Sequence, residues 1–247
     1  MRVGAGTGAP GPEWELAGDG ALIARFGQGL DEAANRAALA WAVAIRADPP
    51  PGVWGVVPGH ATLLVEFDPD IARPEAVLAA LRRPPAAPAP PGRTWVIPVV
   101  YGGAFGPDLE EAADRLGLPP ETLIARHSDR SYRIFCLGFA PGFPLAAPLD
   151  ASLVLPRRDS PRPRVPAGSV AIAGRQTGIY PTPTPGGWHL IGRTPLTLFN
   201  PRITPPARWR PGDRLRFQRI TAEMFGRLAE RDRSEAGRGP VDGHGRD

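Results

Sequence analysis

The stretch "VPAGSVAIAGRQTGIYPTPTPGGWHLIGRTP", Val165 to Pro195, holds six glycines and five prolines yet keeps returning to apolar residues. Val170, Ile172, Ile179, Trp188, Leu190 and Ile191 bring apolar surface that a flexible linker lacks, and burying such surface orders a segment against its conformational entropy. Gly and Pro fall between short alternating runs. That is the pattern of brief β-strands joined by tight turns, with Pro185-Gly186-Gly187 as the clearest break.

Runs of the same kind extend on both sides: YRIFCLG from Tyr132, SVAIA, GIYP, WHLIG, LTLF from Leu196 and RLRFQRI from Arg214. In the last, Leu215 and Phe217 alternate with Arg214, Arg216 and Gln218, giving one dry and one wet face. Many short strands with Gly/Pro turns predict a barrel or a sandwich. Upstream, 108–116 and 121–126 have helical periodicity, and TWVIPVV (94–100) reads as a strand apolar on both faces, with Pro98 suggesting an edge or a bulge. Thr221 to Arg231 reads as a final helix, and the following SEAGRGPVDGHGRD is too polar and glycine-rich to pack.

PPAAPAPPGR (84–93) has five prolines and almost no core-forming side chains, so it reads as a stiff spacer and a domain boundary. Before it, and after a start read as disordered, comes a strand pair in 14–26 turning at Gly18 to Gly20. A helix from Leu30 carries Ala34, Ala38, Trp41 and Ile45 and is stopped by Pro49 to Pro51. Strands over 53–57 and 61–67 and a short helix opened by Pro74 complete a β-α-β-β-α order, most of a split βαβ unit. The expectation is an α+β protein: a small α/β domain over 12–92, a β-domain over 93–220, and a helix and tail over 221–247.

Composition removes several classes of function. With 247 residues, 42% hydrophobic and 22% charged, the chain is of soluble globular type, and no run approaches the roughly 20 apolar residues of a membrane helix. The first residues, MRVGAGTGAPGPEWEL, have no apolar core, so no secretion signal is read and a cytoplasmic location is expected. One cysteine, Cys136, and four scattered histidines predict no metal site. Lysine is absent, which excludes a Schiff-base lysine and a P-loop. A net charge of +4 without aromatic-basic interleaving gives no reason to expect nucleic acid.

Several residues suggest chemistry. PRRDSPRPR (156–164) places Arg157, Arg158, Arg162 and Arg164 on a proline-stiffened segment, which suits either a carboxylate or phosphate ligand or a solvated loop paired locally through Asp159. In GFAPGFP, Phe139 and Phe143 either line a pocket or fill the barrel. Gln176 and Tyr180 either orient a ligand or satisfy nearby backbone, and Trp188 reads as core or pocket wall. His127, ahead of Ser128 and Asp129, is either a general base or a helix-end histidine serving the dipole. Cys136 reads as a buried small hydrophobe.

Four long motifs, YGGAFGPDLEEAADRLGL (101–118), YRIFCLGFAPGFP (132–144), PRPRVPAGSVAIAGRQTGIYP (161–181) and PGGWHLIGRTPLTLF (185–199), together resemble the family of the 5-oxoprolinase B subunit. That family includes the kinase inhibitor KipI and proteins called allophanate hydrolase subunit 1, and is similar to part of the carboxyltransferase region of urea carboxylase. The resemblance implies a cyclophilin-like β-barrel in which Val165 to Pro195 shapes a ligand-facing rim. It further implies a partner resembling the C subunit of 5-oxoprolinase, a third ring-opening subunit, and ATP with Mg, bound by or shared with the partner, for opening the lactam 5-oxo-L-proline to glutamate. On it, Arg162, Arg164 and Arg193 are expected to contact anions, with Phe139, Phe143 and Trp188 around the substrate and His127, Gln176 and Tyr180 in catalytic or positioning roles. The alternative it carries is a non-catalytic module that inhibits a sensor histidine kinase. Two positions depart from the family pattern: Ala104 stands where Glu is usual, and Leu145-Ala146-Ala147 where an aromatic-leucine-glycine run is usual.

Overall fold

The structure, a computed structural model, describes residues 2–3 and 11–236. The chain divides into two compact units, Met1–Gly92 and Arg93–Asp247.

The first unit contains β1 (Arg2–Val3), β2 (Glu13–Leu16), β3 (Ala21–Arg25), α1 (Glu32–Ala47), β4 (Val53–Pro58), β5 (Thr62–Phe67) and α2 (Pro74–Ala80). Its sheet has the order β1-β2-β3-β5-β4, antiparallel at every pairing. β5 lies between β3 and β4, which α1 connects, so a split βαβ unit is present. The helix read from Leu30 starts at Glu32, with Asp31 as its N-cap, its Oδ1 accepting the Ala33 and Ala34 amides at 2.8 and 3.1 Å. Leu22, Ala24, Leu63, Val65 and Phe67 of the sheet bury against Trp41, Ala42 and Ile45 of α1 and Val77 and Leu78 of α2. The disordered start is corrected in one respect: Arg2 and Val3 pair with Glu15 and Trp14. Residues 1 and 4–10 lie outside the described residues, as do 237–247, on which the reading of an unpacked tail falls.

The second unit contains β6 (Thr94–Tyr101), α3 (Leu109–Leu116), α4 (Pro120–Ser128), β7 (Ser131–Leu137), β8 (Pro144–Ala147), β9 (Arg162–Val165), β10 (Ser169–Ala173), β11 (Gln176–Ile179), β12 (Thr184–Gly186), β13 (His189–Arg193), β14 (Arg214–Arg219) and α5 (Ala222–Ala236). Seven strands close a barrel in the order β10-β11-β8-β7-β14-β6-β13, and β9 and β12 form a separate antiparallel pair. Within the barrel only β6 and β14 run parallel.

The opening stretch forms the β10–β11 hairpin, with Val170 opposite Ile179 and Ile172 opposite Thr177 across a turn at Gly174. Alternation sorts its side chains. Val170, Ile172 and Ile179 enter the barrel core, whereas Ala171, Ala173 and Tyr180 join Phe143, Val165, Trp188 and Leu190 in a second apolar layer on the other side of the wall.

The edge reading of Pro98 holds locally: β14 pairs with Thr94 to Val99 on one side of β6, while on the other side β13 pairs only with Val100 and Tyr101. A missing N–H at Pro98 therefore falls where the second ladder has not begun. Other sequence expectations need correction. LTLF is not a strand and contributes a single bridge, Phe199 to Ala207. Pro144–Ala147, Arg162–Val165 and Thr184–Gly186, read as turn or loop, are strands, because tertiary pairing with Cys136, Gly186 and Val165 supplies partners that proline-rich sequence does not advertise.

Candidate functional site

Inside the barrel, α4 inserts His127, which is fully buried. Thr177 Oγ1 donates to the Ala171 carbonyl at 3.1 Å, so it accepts from His127 Nε2–H at 2.9 Å. Nδ1 is left to accept the Tyr101 hydroxyl at 2.8 Å. Phe217 stacks on the imidazole at 4.4 Å, and burial lowers the imidazole pKa to about 3. The general-base reading of His127 is thereby corrected. A neutral ring with both nitrogens engaged and no exposed atom does not reach a substrate; it satisfies the polar centre of a core.

At the wall, Asp108 precedes α3 and is almost wholly buried. Its carboxylate accepts Arg162 Nη1 at 2.8 Å, Arg158 Nη1 at 3.2 Å and the Leu190 amide at 2.7 Å. Arg158 also reaches Glu111 at 2.9 Å and, by that hydrogen bond, holds the Glu111 carboxyl below its usual range. Both Nη groups of the Arg162 fork are engaged by Asp108. The expectation that Arg162 is free for a ligand anion is corrected: a carboxylate of the chain already occupies it, and Asp159 is not that carboxylate.

Outside the wall, Phe139, Phe143, Tyr180 and Trp188 form an aromatic ledge. Edge-on pairs link Phe143 to Tyr180 at 5.1 Å, to Trp188 at 5.5 Å and to Phe139 at 5.4 Å. Two glycines admit these rings: a Cβ at Gly178 would lie 2.6 Å from the Phe143 ring, and one at Gly186 would meet the Tyr180 hydroxyl. Burial raises the Tyr180 pKa, opposed by the Trp188 amide and by Arg157 and Arg162, so the phenol is neutral and close to two cations. Phe139 differs from the other three rings. It is 66% exposed and sits at φ 66°, a conformation that strains a bulky side chain. Strain of this kind concentrates at ligand-handling positions.

The remaining expected residues are spread around this ledge. Arg164 shares a face of β9 with Arg162, is exposed, and has no ion-pair partner among the described residues. Arg193 closes β13 and spends its Nε on the Ala167 carbonyl at 2.9 Å. Gln176 shares the outer face of β11 with Tyr180, but the two are four residues apart, about 13 Å along a strand. One small ligand therefore does not touch both.

Residues 12–209 match the family model of the carboxyltransferase domain, subdomains C and D. This chain belongs to that family. Among carboxyltransferase-domain relatives, the B subunit of Bacillus subtilis 5-oxoprolinase is 43% identical over 225 residues, covering 85% of this chain and 94% of the relative. The solved structure of TTHA0988 is 44% identical with a TM-score of 0.75 over 82% of this chain; the chain spans 40% of that protein's length. Kluyveromyces lactis urea carboxylase, 17% identical, has a TM-score of 0.73 over 94% of this chain and 24% of its own, a likeness of fold. The second unit is thus a cyclophilin-like barrel of the carboxyltransferase type.

In this carboxyltransferase-domain chain the two departures from the family motif have different settings. Ala104 is exposed in the turn after β6, whereas Ala146 and Ala147 are buried strand residues of β8. Sequence reasoning missed Asp108 and His189. The Asp108 signal was present, since an Asp before an apolar helix attracts interpretation as a cap, and its side chain caps nothing in α3. His189 is fully buried, with Nε2 on the Pro156 carbonyl at 2.9 Å.

Proposed function

We propose that this chain is the B subunit of a 5-oxoprolinase, which opens 5-oxo-L-proline to L-glutamate with ATP in a complex with a protein like the C subunit of such enzymes and a third, ring-opening protein. The observation that carries this reading is the 43% identity spread over 94% of the Bacillus subtilis B subunit. Identity of that extent covers both units rather than a shared barrel alone.

The aromatic ledge suits such a substrate. A five-membered lactam presents an apolar ring edge, which the exposed face of Phe139 would meet, and a carboxylate, for which Arg157 and Arg164 are exposed and have no carboxylate partner among the described residues. Phe143 and Tyr180 pack edge-on against Phe139, and Trp188 backs Phe143. Lactam opening requires activation of a stable amide, and phosphorylation of the carbonyl oxygen by ATP supplies it; Mg-ATP would sit on or against the partner.

Reconstitution tests the reading. The chain is purified with the candidate C-like and ring-opening proteins encoded beside it, and ATP-dependent glutamate release from 5-oxoproline is measured. Activity that needs all components, and that falls about tenfold in kcat/KM with Phe139→Ala, a loss of roughly 1.4 kcal/mol of transition-state stabilisation, is expected. Absence of turnover in every combination of these proteins overturns the assignment.

A further inference from the structure

Behind the ledge, residues 187–189 face two ways. The Trp188 amide lies against the Tyr180 phenol oxygen, whereas its two neighbours hold the arginine-rich segment. The Gly187 carbonyl accepts the Arg158 amide at 2.8 Å, and His189 Nε2–H donates to the Pro156 carbonyl at 2.9 Å. Bonds made two residues apart are those of extended chain, in which successive side chains leave on opposite sides. Arg158 goes to Asp108 and Glu111. Arg157, between the two bonds, goes the other way; it is exposed and has no carboxylate partner among the described residues. Its charge reaches the ledge: burial raises the Tyr180 pKa, and beside the Trp188 amide the groups opposing that rise are Arg157 and then Arg162, with Arg164 not one of them. Arg162 is already engaged by Asp108. Arg157 is therefore the uncommitted cation beside Tyr180, whose ring meets the exposed Phe139 edge-on at 6.1 Å.

We propose that His189 is a positioning residue: by holding Pro156 it aims Arg157 at the ledge, where that guanidinium receives the carboxylate of a small ligand whose ring lies on Phe139. His189 is fully buried, and its Nδ1 has no hydrogen-bond partner among the described residues. An unpaired buried acceptor is costly, and an apolar side chain in the same place would avoid that cost. What the imidazole adds is the bond to the Pro156 carbonyl, one residue before Arg157. On the other flank Arg158 is fixed by its amide and by its guanidinium, so the backbone on both sides of Arg157 is held before a ligand arrives, and less freedom is lost on binding. The inference rests on the ledge being the substrate site of the 5-oxoprolinase reading, and it narrows the carboxylate receptor from two arginines to one.

Calorimetric titration of the full chain with 5-oxo-L-proline and with pyrrolidinone, the same ring without the carboxylate, tests it. Tighter binding of 5-oxo-L-proline is expected, weakened at least about tenfold by Arg157→Gln. His189→Leu should reproduce that loss for 5-oxo-L-proline while sparing pyrrolidinone, and His189→Gln, which keeps an N–H for the Pro156 carbonyl, should restore it. In the double variant Arg157→Gln/His189→Leu the two losses should not add, because His189 acts through Arg157. Additive losses, or equal weakening of both ligands by His189→Leu, would make His189 a core residue only and overturn its positioning role. Equal affinity for the two ligands, no saturation with 5-oxo-L-proline up to about 10 mM, or a larger loss in Arg164→Gln than in Arg157→Gln overturns the assignment of Arg157. Glutamate release that fails in the reconstituted complex while this binding pattern holds overturns the enzyme reading alone; release with an unchanged KM for 5-oxo-L-proline in Arg157→Gln overturns this inference alone.

Discussion

The two sides of β11 make opposite use of one strand. Inward, Thr177 and Ile179 join a column in which His127, Tyr101 and Thr177 satisfy one another and no atom of the imidazole meets solvent. Outward, Gly178 and Tyr180 support rings that end in Phe139, exposed and held in a strained backbone conformation. A histidine and a tyrosine look like catalytic groups in a sequence. Burial converts the first pair into a structural element and leaves exposed at the ledge a phenylalanine that no acid-base argument selects.

If the inner side serves stability and the outer side ligand handling, perturbations should separate accordingly. Acidification has the largest expected effect. Burial holds folded His127 at about 3 against an ordinary 6.5, so the unfolded chain takes up the proton first. The stability tied to this residue is complete above about pH 6.5 and is lost toward pH 3, at up to ~1.4 kcal/mol per pH unit. Urea unfolding across that window should give a flatter curve for His127→Gln; an unchanged slope would remove His127 from the account.

Next comes Asp108→Ala, which strands the Arg162 guanidinium and the Leu190 amide, leaves Arg158 with Glu111 alone, and should cost about 3–5 kcal/mol in chemical denaturation. A cost under about 1 kcal/mol would mean that the pairs are merely solvated surface contacts. Gly178→Ala places a methyl against the Phe143 ring and should destabilise by about 1–3 kcal/mol, while also displacing the ledge enough to lower activity. The smallest stability change belongs to Phe139→Gly: relief of the left-handed strain should leave the protein unchanged or up to about 1 kcal/mol more stable, as activity drops. Phe139→Gly with full activity would break the contrast between the two sides.

The first unit was legible because its signals are local. Asp31 before a helical repeat, Pro49 to Pro51 after it, and alternation in β5 each fix an element without help from distant residues. In the second unit the β10–β11 hairpin was legible for the same reason. β8, β9 and β12 were not, since each is four residues or fewer and exists through pairing with segments outside its own short run. The arginine-rich segment was recognised as ready for an anion, but the anion it found in Arg158 and Arg162 is Asp108, some fifty residues earlier.

Sequence alone therefore determined the β-α-β-β-α unit, a turn-rich domain of short strands that left barrel and sandwich both open, and the supply of guanidinium groups, because periodicity, capping and composition act over a few residues. Tertiary structure decided which arginines are already neutralised, which histidine is sealed away and which phenylalanine is exposed and strained. Those outcomes depend on distance and burial between remote segments, and neither is encoded at any single position.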